Sequence, residues 1–109
     1  MISFGHFIKE KREKYGWTQT EFGAKIGISA FAISKIENGT QKFSRTKLKE
    51  LAVLFEMDFQ LVNDLFHADK FAVEAYKNNC SDNVFVVADH NVKYLKSTNA
   101  KQSKISFDQ

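Results

Sequence analysis

The sequence of 109 residues predicts an all-α fold. It contains no proline and only five glycines, too few for a fold built on many tight turns. Apolar residues recur at intervals of three and four along most of the chain, which is the period of an amphipathic helix. Residues that favour helix ends separate these segments. The length suits one domain, or one domain with a short appendage.

The first three predicted helices are marked by clear start and stop signals. They span residues 4–15, 19–26 and 29–38. A glycine stands at the end of each, the usual C-terminal stop. In the segment TQTE, Thr18 and Glu21 have the spacing of a capping box for the second helix. Ser29 is a favourable N-cap for the third.

Two further helices are predicted before residue 67. Helix 4 is expected over residues 45–55 behind a cap at Ser44, and helix 5 behind a cap at Asp58. Their inward residues are predicted to be Leu48, Leu51, Ala52 and Phe55 in helix 4, and Leu61, Leu65 and Phe66 in helix 5.

The C-terminal third is harder to assign. The segment ADKFAVEAYKNN, residues 68–79, predicts a sixth helix. The segment VFVVA alone suits a strand, whereas the pattern from Val84 to Leu95 has helical period, so a helix is favoured for residues 81–97. Residues 98–109 are polar and lack periodicity, and they predict a flexible tail.

The charge is unevenly distributed along the chain. The net charge is +3 and the pI about 9.0, but residues 1–50 carry ten Lys or Arg against five Asp or Glu. A basic N-terminal half indicates a polyanionic partner.

Composition and spacing give no support for an enzyme. A single cysteine excludes an intramolecular disulfide and fits a reducing cytoplasm. We expect no secretion signal and no membrane span. The three histidines lie far apart, Cys80 has no Cys or His neighbour, and no glycine-rich phosphate loop occurs. The sequence therefore predicts no catalytic residue, metal, cofactor or small-molecule effector.

Helix 3 has an unusual polar face. On a helical wheel Ile33 and Ile36 share one side, while Phe31 and Lys35 lie opposite them and Glu37 leans inward. Two short helices joined by a glycine turn, the second with a polar outer face, are typical of a helix-turn-helix. The small residues of helix 3 keep it narrow enough for a major groove about 12 Å wide.

Residues 8–55 resemble the Cro/repressor type of helix-turn-helix, the XRE family. The matching elements are Arg12 and the segments WTQTEFG, GIS, ISKIENG and LKELAVLF. Phe22 and Gly23 stand where the family commonly has Leu and Ala. The resemblance implies a five-helix, phage-repressor-like DNA-binding domain over residues 1–66, with one or two extra C-terminal helices.

The resemblance also implies roles for individual residues. Gln19 would bind a phosphate, and Arg12 and Glu37 would form a structural ion pair. Residues that would meet base edges or flanking phosphates are Ser29, Ala30, Phe31, Ser34 and Lys35. Residues that would hold the DNA backbone are Asn38, Thr40, Gln41 and Lys42, and Arg45 would lie near the minor groove or a phosphate. Three alternatives stay open: the lysines are merely solvated, Ser29 acts only as a cap, or Phe31 packs beneath a loop.

Residues 67–97 are predicted to form a dimerisation surface, since one helix-turn-helix reads only a few base pairs and such proteins usually bind palindromic sites as dimers. The predicted surface consists of Phe71, Ala75, Tyr76, Val84, Ala88, Val92 and Leu95. Alternatively, this region pads the core, or it binds a toxin and makes the protein an autoregulating antitoxin. As a regulator, the chain has the size of a phage-type repressor or of a controller of a restriction–modification operon.

Overall fold

The computed structural model describes the backbone of residues 3–106 and the side chains of residues 3–99. These residues form six α-helices and one 3-10 turn, with no strand among them, which confirms the predicted fold class. The helices are α1 (Phe4–Lys14), α2 (Gln19–Ile26), α3 (Ala30–Glu37), α4 (Leu48–Leu54), α5 (Phe59–Lys77) and α6 (Asn83–Ser106). None of these described helices is long and apolar enough to cross a membrane.

Helices α1, α2 and α3 begin and end within one residue of the predicted positions. The Ser3 hydroxyl caps α1 by accepting a hydrogen bond from the backbone N–H of His6 at 3.0 Å. The capping box of α2 is present: Thr18 Oγ1 accepts from the N–H of Glu21 at 3.0 Å, and the Glu21 carboxylate accepts from the N–H of Thr18 at 2.8 Å. Gly27 ends α2 with φ of 75°, a left-handed conformation that glycine adopts without strain.

Helix α4 starts later than the sequence predicts. Residues Arg45–Lys47 form the 3-10 turn, and the α-helix begins only at Leu48. Ser44 makes no capping hydrogen bond to the backbone, since its Oγ pairs with Oγ1 of Thr46 at 2.8 Å. The prediction that Ser44 caps helix 4 is therefore wrong, because a neighbouring hydroxyl has taken the place of the backbone N–H.

Helix α5 joins two segments that the sequence analysis treats as separate helices. No glycine or proline interrupts residues 59–77, so the helix continues past residue 66. Of the residues predicted to face inward, Phe66 is buried and Leu65 is partly buried against the core, but Leu61 is 48% exposed and Val62 is buried instead. Phe66 packs edge-on against Phe4 of α1, with 5.2 Å between the ring centroids.

Helix α6 resolves the ambiguity over residues 81–97 in favour of a helix. It also extends through residues 98–106, which the sequence analysis assigns to a flexible tail. No glycine or proline stands in this segment to end the helix. The rest of the predicted tail, residues 107–109, lies outside the described residues.

The chain divides into two compact units, Met1–Ala72 and Val73–Gln109, whereas the sequence analysis places the boundary at residue 66. The first unit contains the hydrophobic core, against which Leu65 packs from a partly buried position. The core residues are Phe4, Phe7, Ile8, Phe22, Ile26, Ile33, Ile36, Phe43, Leu48, Leu51, Ala52, Phe55, Val62 and Phe66. The second unit comprises the end of α5 and helix α6.

Candidate nucleic-acid interface

The turn between α2 and α3 is tight because the backbones approach closely there. The N–H of Ile28 donates to the carbonyl of Gly23 at 2.9 Å. A Cβ atom at position 23 would overlap the carbonyl oxygen of Ile28. The glycine that replaces the commoner alanine therefore makes room for the turn. Ser29 Oγ then accepts from the N–H of Ala32 at 3.1 Å and caps α3.

Helix α3 buries one side and presents the other. Ile33 and Ile36 lie in the core. Phe31 stands on the opposite side with 74% of its surface exposed, which excludes packing beneath a loop. The Lys35 ammonium lies over the Phe31 ring, 5.0 Å from its centroid. The other residues predicted to read bases from this helix and its cap are exposed or half-buried: Ser29, Ala30 and Ser34.

An ion pair joins the end of α3 to α1. Arg12 Nε donates to Oε2 of Glu37 at 2.6 Å, and Nη2 donates to Oε1 at 3.0 Å. The third guanidinium nitrogen, Nη1, donates to the carbonyl of Trp17 at 2.7 Å. The hydrogen bond with Glu37 raises the pKa of Arg12 above its ordinary value, outweighing the desolvation that lowers it. The pair thus holds the C-terminal end of α3 against α1.

Gln19 belongs to the same network. Its side-chain amide donates to Oε1 of Glu37 at 3.1 Å, so the carboxylate binds groups from both α1 and α2. The family resemblance implies that Gln19 binds a phosphate. A primary amide has two N–H donors, and the bond to Glu37 uses one of them.

Helix α1 also approaches the end of α3 through its backbone. A Cβ atom at Gly5 would overlap the carbonyl oxygen of Ile36, so only glycine fits at this crossing. Helix α3 is therefore held near both ends, by α1 at its C-terminal end and by the glycine turn at its start.

The loop after α3 is held by its own side chains. Asn38 Oδ1 accepts from the N–H of Thr40 at 3.1 Å and from its hydroxyl at 2.8 Å. The N–H groups of Thr40 and Gln41 both donate to the carbonyl of Lys35. Phe43 is buried and anchors the loop in the core. The side chains of Gln41, Lys42 and Arg45 remain exposed around this anchor.

Lys9 is a candidate DNA contact that the sequence analysis missed. It is exposed and takes part in none of the ion pairs among the described side chains. It lines an open depression of about 210 Å³ together with predicted interface residues. The other lining residues are Gln19, Ser34, Glu37 and Asn38. Lys9 could have been predicted as a candidate from its position three residues before Arg12, because residues three apart lie on the same side of a helix.

The residues predicted to form a dimer surface are mainly solvent-exposed. Phe71 is 64% and Tyr76 84% exposed, while Val92 and Leu95 are 47% and 62% exposed. Ala88 is exposed, and Ala75 and Val84 are half-buried. In α6, the further large side chains Phe85, Val87 and Tyr94 lie within or beside the same arc of the helix, whereas Val86, 54% exposed, lies on the other side. The Asp89–Lys93 ion pair, 2.9 Å long, lies on the opposite side.

The described residues contain no group of three or more His, Cys, Asp or Glu side chains placed to hold a metal ion. Cys80 is exposed in the connection between α5 and α6.

Comparison with known proteins places this chain in the helix-turn-helix family. The helix-turn-helix family profile matches residues 8–62. The ImmF control region 10 kDa protein of Bacillus phage phi105 is 34% identical over 58 residues, which cover 53% of this chain and 64% of that protein. The match therefore spans less than two thirds of the phage protein's length. A chain of the solved SinR protein/SinI protein complex aligns with a TM-score of 0.49 and 22% identity, covering 86% of this chain and 98% of that chain.

Proposed function

Because this chain belongs to the Cro/repressor-type helix-turn-helix family of DNA-binding transcriptional regulators, we propose that it acts as a homodimer on a palindromic operator. The dimer places the α3 helices of its two copies in successive major grooves, on half-sites about 34 Å apart. Occupancy of the operator then blocks or recruits RNA polymerase by position. Phosphate contacts supply salt-dependent affinity, and base contacts supply selectivity.

The observation that carries the proposal is the fixed, outward presentation of α3. Its inner side is anchored by Ile33 and Ile36, and its end by the Arg12–Glu37 pair. Its outer side offers Phe31 and Lys35, which have no role in the core. A preorganised helix binds DNA without first being ordered, which avoids an entropic cost.

Backbone contacts are proposed on both flanks of α3. On one flank lie the exposed side chains of Gln41, Lys42 and Arg45. On the other, the second amide N–H of Gln19 and the ammonium of Lys9 surround one depression. Asn38 and Thr40 act mainly by holding the loop that carries the first group.

The exposed face of α6 supports the dimer. Most of the apolar residues from Val84 to Leu95 lie in an arc of about half the helix circumference, which also contains Asn91, while Val86 and the Asp89–Lys93 pair lie on the other side. An amphipathic helix of this kind gains stability by covering its apolar side. A second copy of the chain supplies an identical face, as a two-fold dimer requires.

The same face supports the second candidate function, in which α6 binds a different protein and the chain acts as an antitoxin. The two functions predict different complexes. A stable solitary dimer in sedimentation favours the regulator, whereas co-purification with a toxin encoded beside it favours the antitoxin.

Similarity to a phage control-region protein favours a phage-type repressor over a controller of a restriction–modification operon. The proposed function places the protein in the cytoplasm, with the DNA that it binds.

Selection of bound sequences from a random DNA pool tests the operator directly. We expect an enriched motif with two-fold symmetry and half-sites about one helical turn apart. An unenriched pool would refute operator binding. An enriched motif without symmetry, together with a protein that sediments as a monomer at tens of micromolar both free and on DNA, would refute the dimer.

A further inference from the structure

We propose that Phe31 and Lys35 work as one reading unit that recognises a thymine close to a guanine in each half-site. The inference rests on the proposed function, since it specifies which bases α3 reads. It starts from the position of a large apolar ring, 74% exposed, near the beginning of α3.

The geometry joins the two side chains before any DNA is present. Residues 31 and 35 are one helical turn apart, and the Lys35 ammonium lies 5.0 Å from the Phe31 ring centroid. This is within the range of about 6 Å over which a cation is attracted to an aromatic face. The ring thereby restricts the lysine, whose flexible stem would otherwise sample many positions.

Each group has a matching partner in the major groove. An aromatic ring makes apolar contact with the C5 methyl group of thymine, and a lysine donates to O6 and N7 of guanine. Residues at the start of a recognition helix meet base edges, and Phe31 is the second residue of α3. One side of its ring faces the ammonium, and with 74% exposure the rest is free to meet a methyl group.

The distance between the two groups sets the spacing of the bases. Successive base pairs are about 3.4 Å apart along the duplex. A separation of 5.0 Å between ammonium and ring therefore fits bases that are adjacent or one position apart.

The thymine is tested by removing its methyl group alone. In the operator obtained by selection, each thymine is replaced in turn by deoxyuridine, and the affinity is measured by fluorescence anisotropy. We expect one position per half-site at which the wild type binds about fourfold more weakly, the effect of losing one buried carbon. Phe31→Ala should show no loss at that position. Equal losses in both proteins, or no sensitive position, would overturn the inference.

The coupling is tested at the guanine. Replacement by 7-deazaguanine removes the N7 acceptor, and we expect weaker binding by the wild type at one guanine near the sensitive thymine, with no loss in Lys35→Ala. Phe31→Leu keeps an apolar contact but removes the aromatic face. It should keep sensitivity to deoxyuridine and lose part of its sensitivity to 7-deazaguanine. Full retention of both would refute joint action.

Separate control experiments distinguish a loss of folding from a loss of base recognition. Both side chains lie outside the core, so thermal melting of Phe31→Ala and Lys35→Ala should match the wild type. Failure of the selection itself would refute the proposed function. An enriched operator without a methyl-sensitive thymine would refute only the reading unit.

Discussion

Arg12 and Glu37 form a two-pronged ion pair that is nearly closed to solvent, with side chains only 10% and 4% exposed. The carboxylate receives two hydrogen bonds from Arg12 and one from Gln19, so it links α1, α2 and α3. An inward-pointing charge on α3 is tolerable only because its partners are already in place. The pair therefore couples the stability of the domain to the orientation of α3, the helix proposed to read DNA.

Glu37→Ala should lower the free energy of unfolding by about 3–5 kcal/mol, because it leaves the buried Arg12 charge without its carboxylate partner. Urea denaturation measures this loss. The double variant Arg12→Ala/Glu37→Ala removes both charges and should lose less than the sum of the two single variants. Additive losses would show that the two residues do not stabilise the domain as a pair.

Gly23→Ala should destabilise the domain although alanine is the better helix former. The added methyl group would overlap the carbonyl of Ile28, and relief of such overpacking costs about 1–3 kcal/mol. Thr20→Ala, at an exposed position in the same helix, is the matched control and should change little. A more stable Gly23→Ala protein would mean that the turn shifts freely.

Tyr15 should make the domain sensitive to alkaline pH. Partial desolvation of the hydroxyl, aided by the Glu56 carboxylate, raises the pKa of Tyr15 above its ordinary value of about 10, although the residue is 37% exposed. The folded state then holds this proton more tightly than the unfolded chain. The stabilising contribution is therefore complete below about pH 10 and is lost as the pH rises through the folded-state pKa.

Tyr15→Phe removes this titration, and its free energy of unfolding should fall less steeply above about pH 10 than that of the wild type. It also loses the hydrogen bond from the Tyr15 hydroxyl to the carbonyl of Phe55, so the slopes with pH are compared rather than the absolute values. Tyr76→Phe, at an 84% exposed position, should follow the wild type. Identical slopes in all three proteins would contradict the prediction.

Features that depend on residues close together in the sequence were predictable from it, whereas features that depend on contacts between distant residues were not. The caps at Thr18 and Ser29 and the stop at Gly27 depend on neighbouring residues, so the sequence alone located α2 and α3. Whether Leu61 or Val62 faces inward in α5 depends on how the helix packs against residues far away in the chain. Local periodicity correctly predicted Phe66 as an inward residue but chose Leu61 instead of Val62.

The candidate interface shows the same limit. Phe31 and Lys35 lie on the face that the helical wheel predicts, but their mutual contact depends on rotamers that no sequence pattern encodes. The hydrogen bond from Gln19 to Glu37 and the place of Lys9 at the rim of the depression both require three helices to be assembled.

Lys9→Ala should weaken binding to all DNA sequences alike. A lysine that neutralises one phosphate releases about one counterion, so the slope of the logarithm of affinity against the logarithm of salt concentration should fall by about one unit. Lys14→Ala is the control, because Lys14 is an exposed lysine on another side of α1. Lys42→Ala and Arg45→Ala should behave like Lys9→Ala. A change in base preference in these variants would instead indicate base contacts.

Leu95→Lys should dissociate the proposed dimer, because it places a charge in the middle of the apolar arc of α6. In a two-fold interface each copy loses one buried leucine, worth about 1.5–3 kcal/mol, so the dimer dissociation constant should rise about a hundredfold or more. His90→Lys adds the same side chain on the polar side of the helix and should leave the dimer unchanged. Sedimentation equilibrium measures both variants. Operator affinity should fall with dimerisation in Leu95→Lys, while α3 and its contacts stay intact. A Leu95→Lys protein that remains a dimer would place the interface elsewhere on the chain.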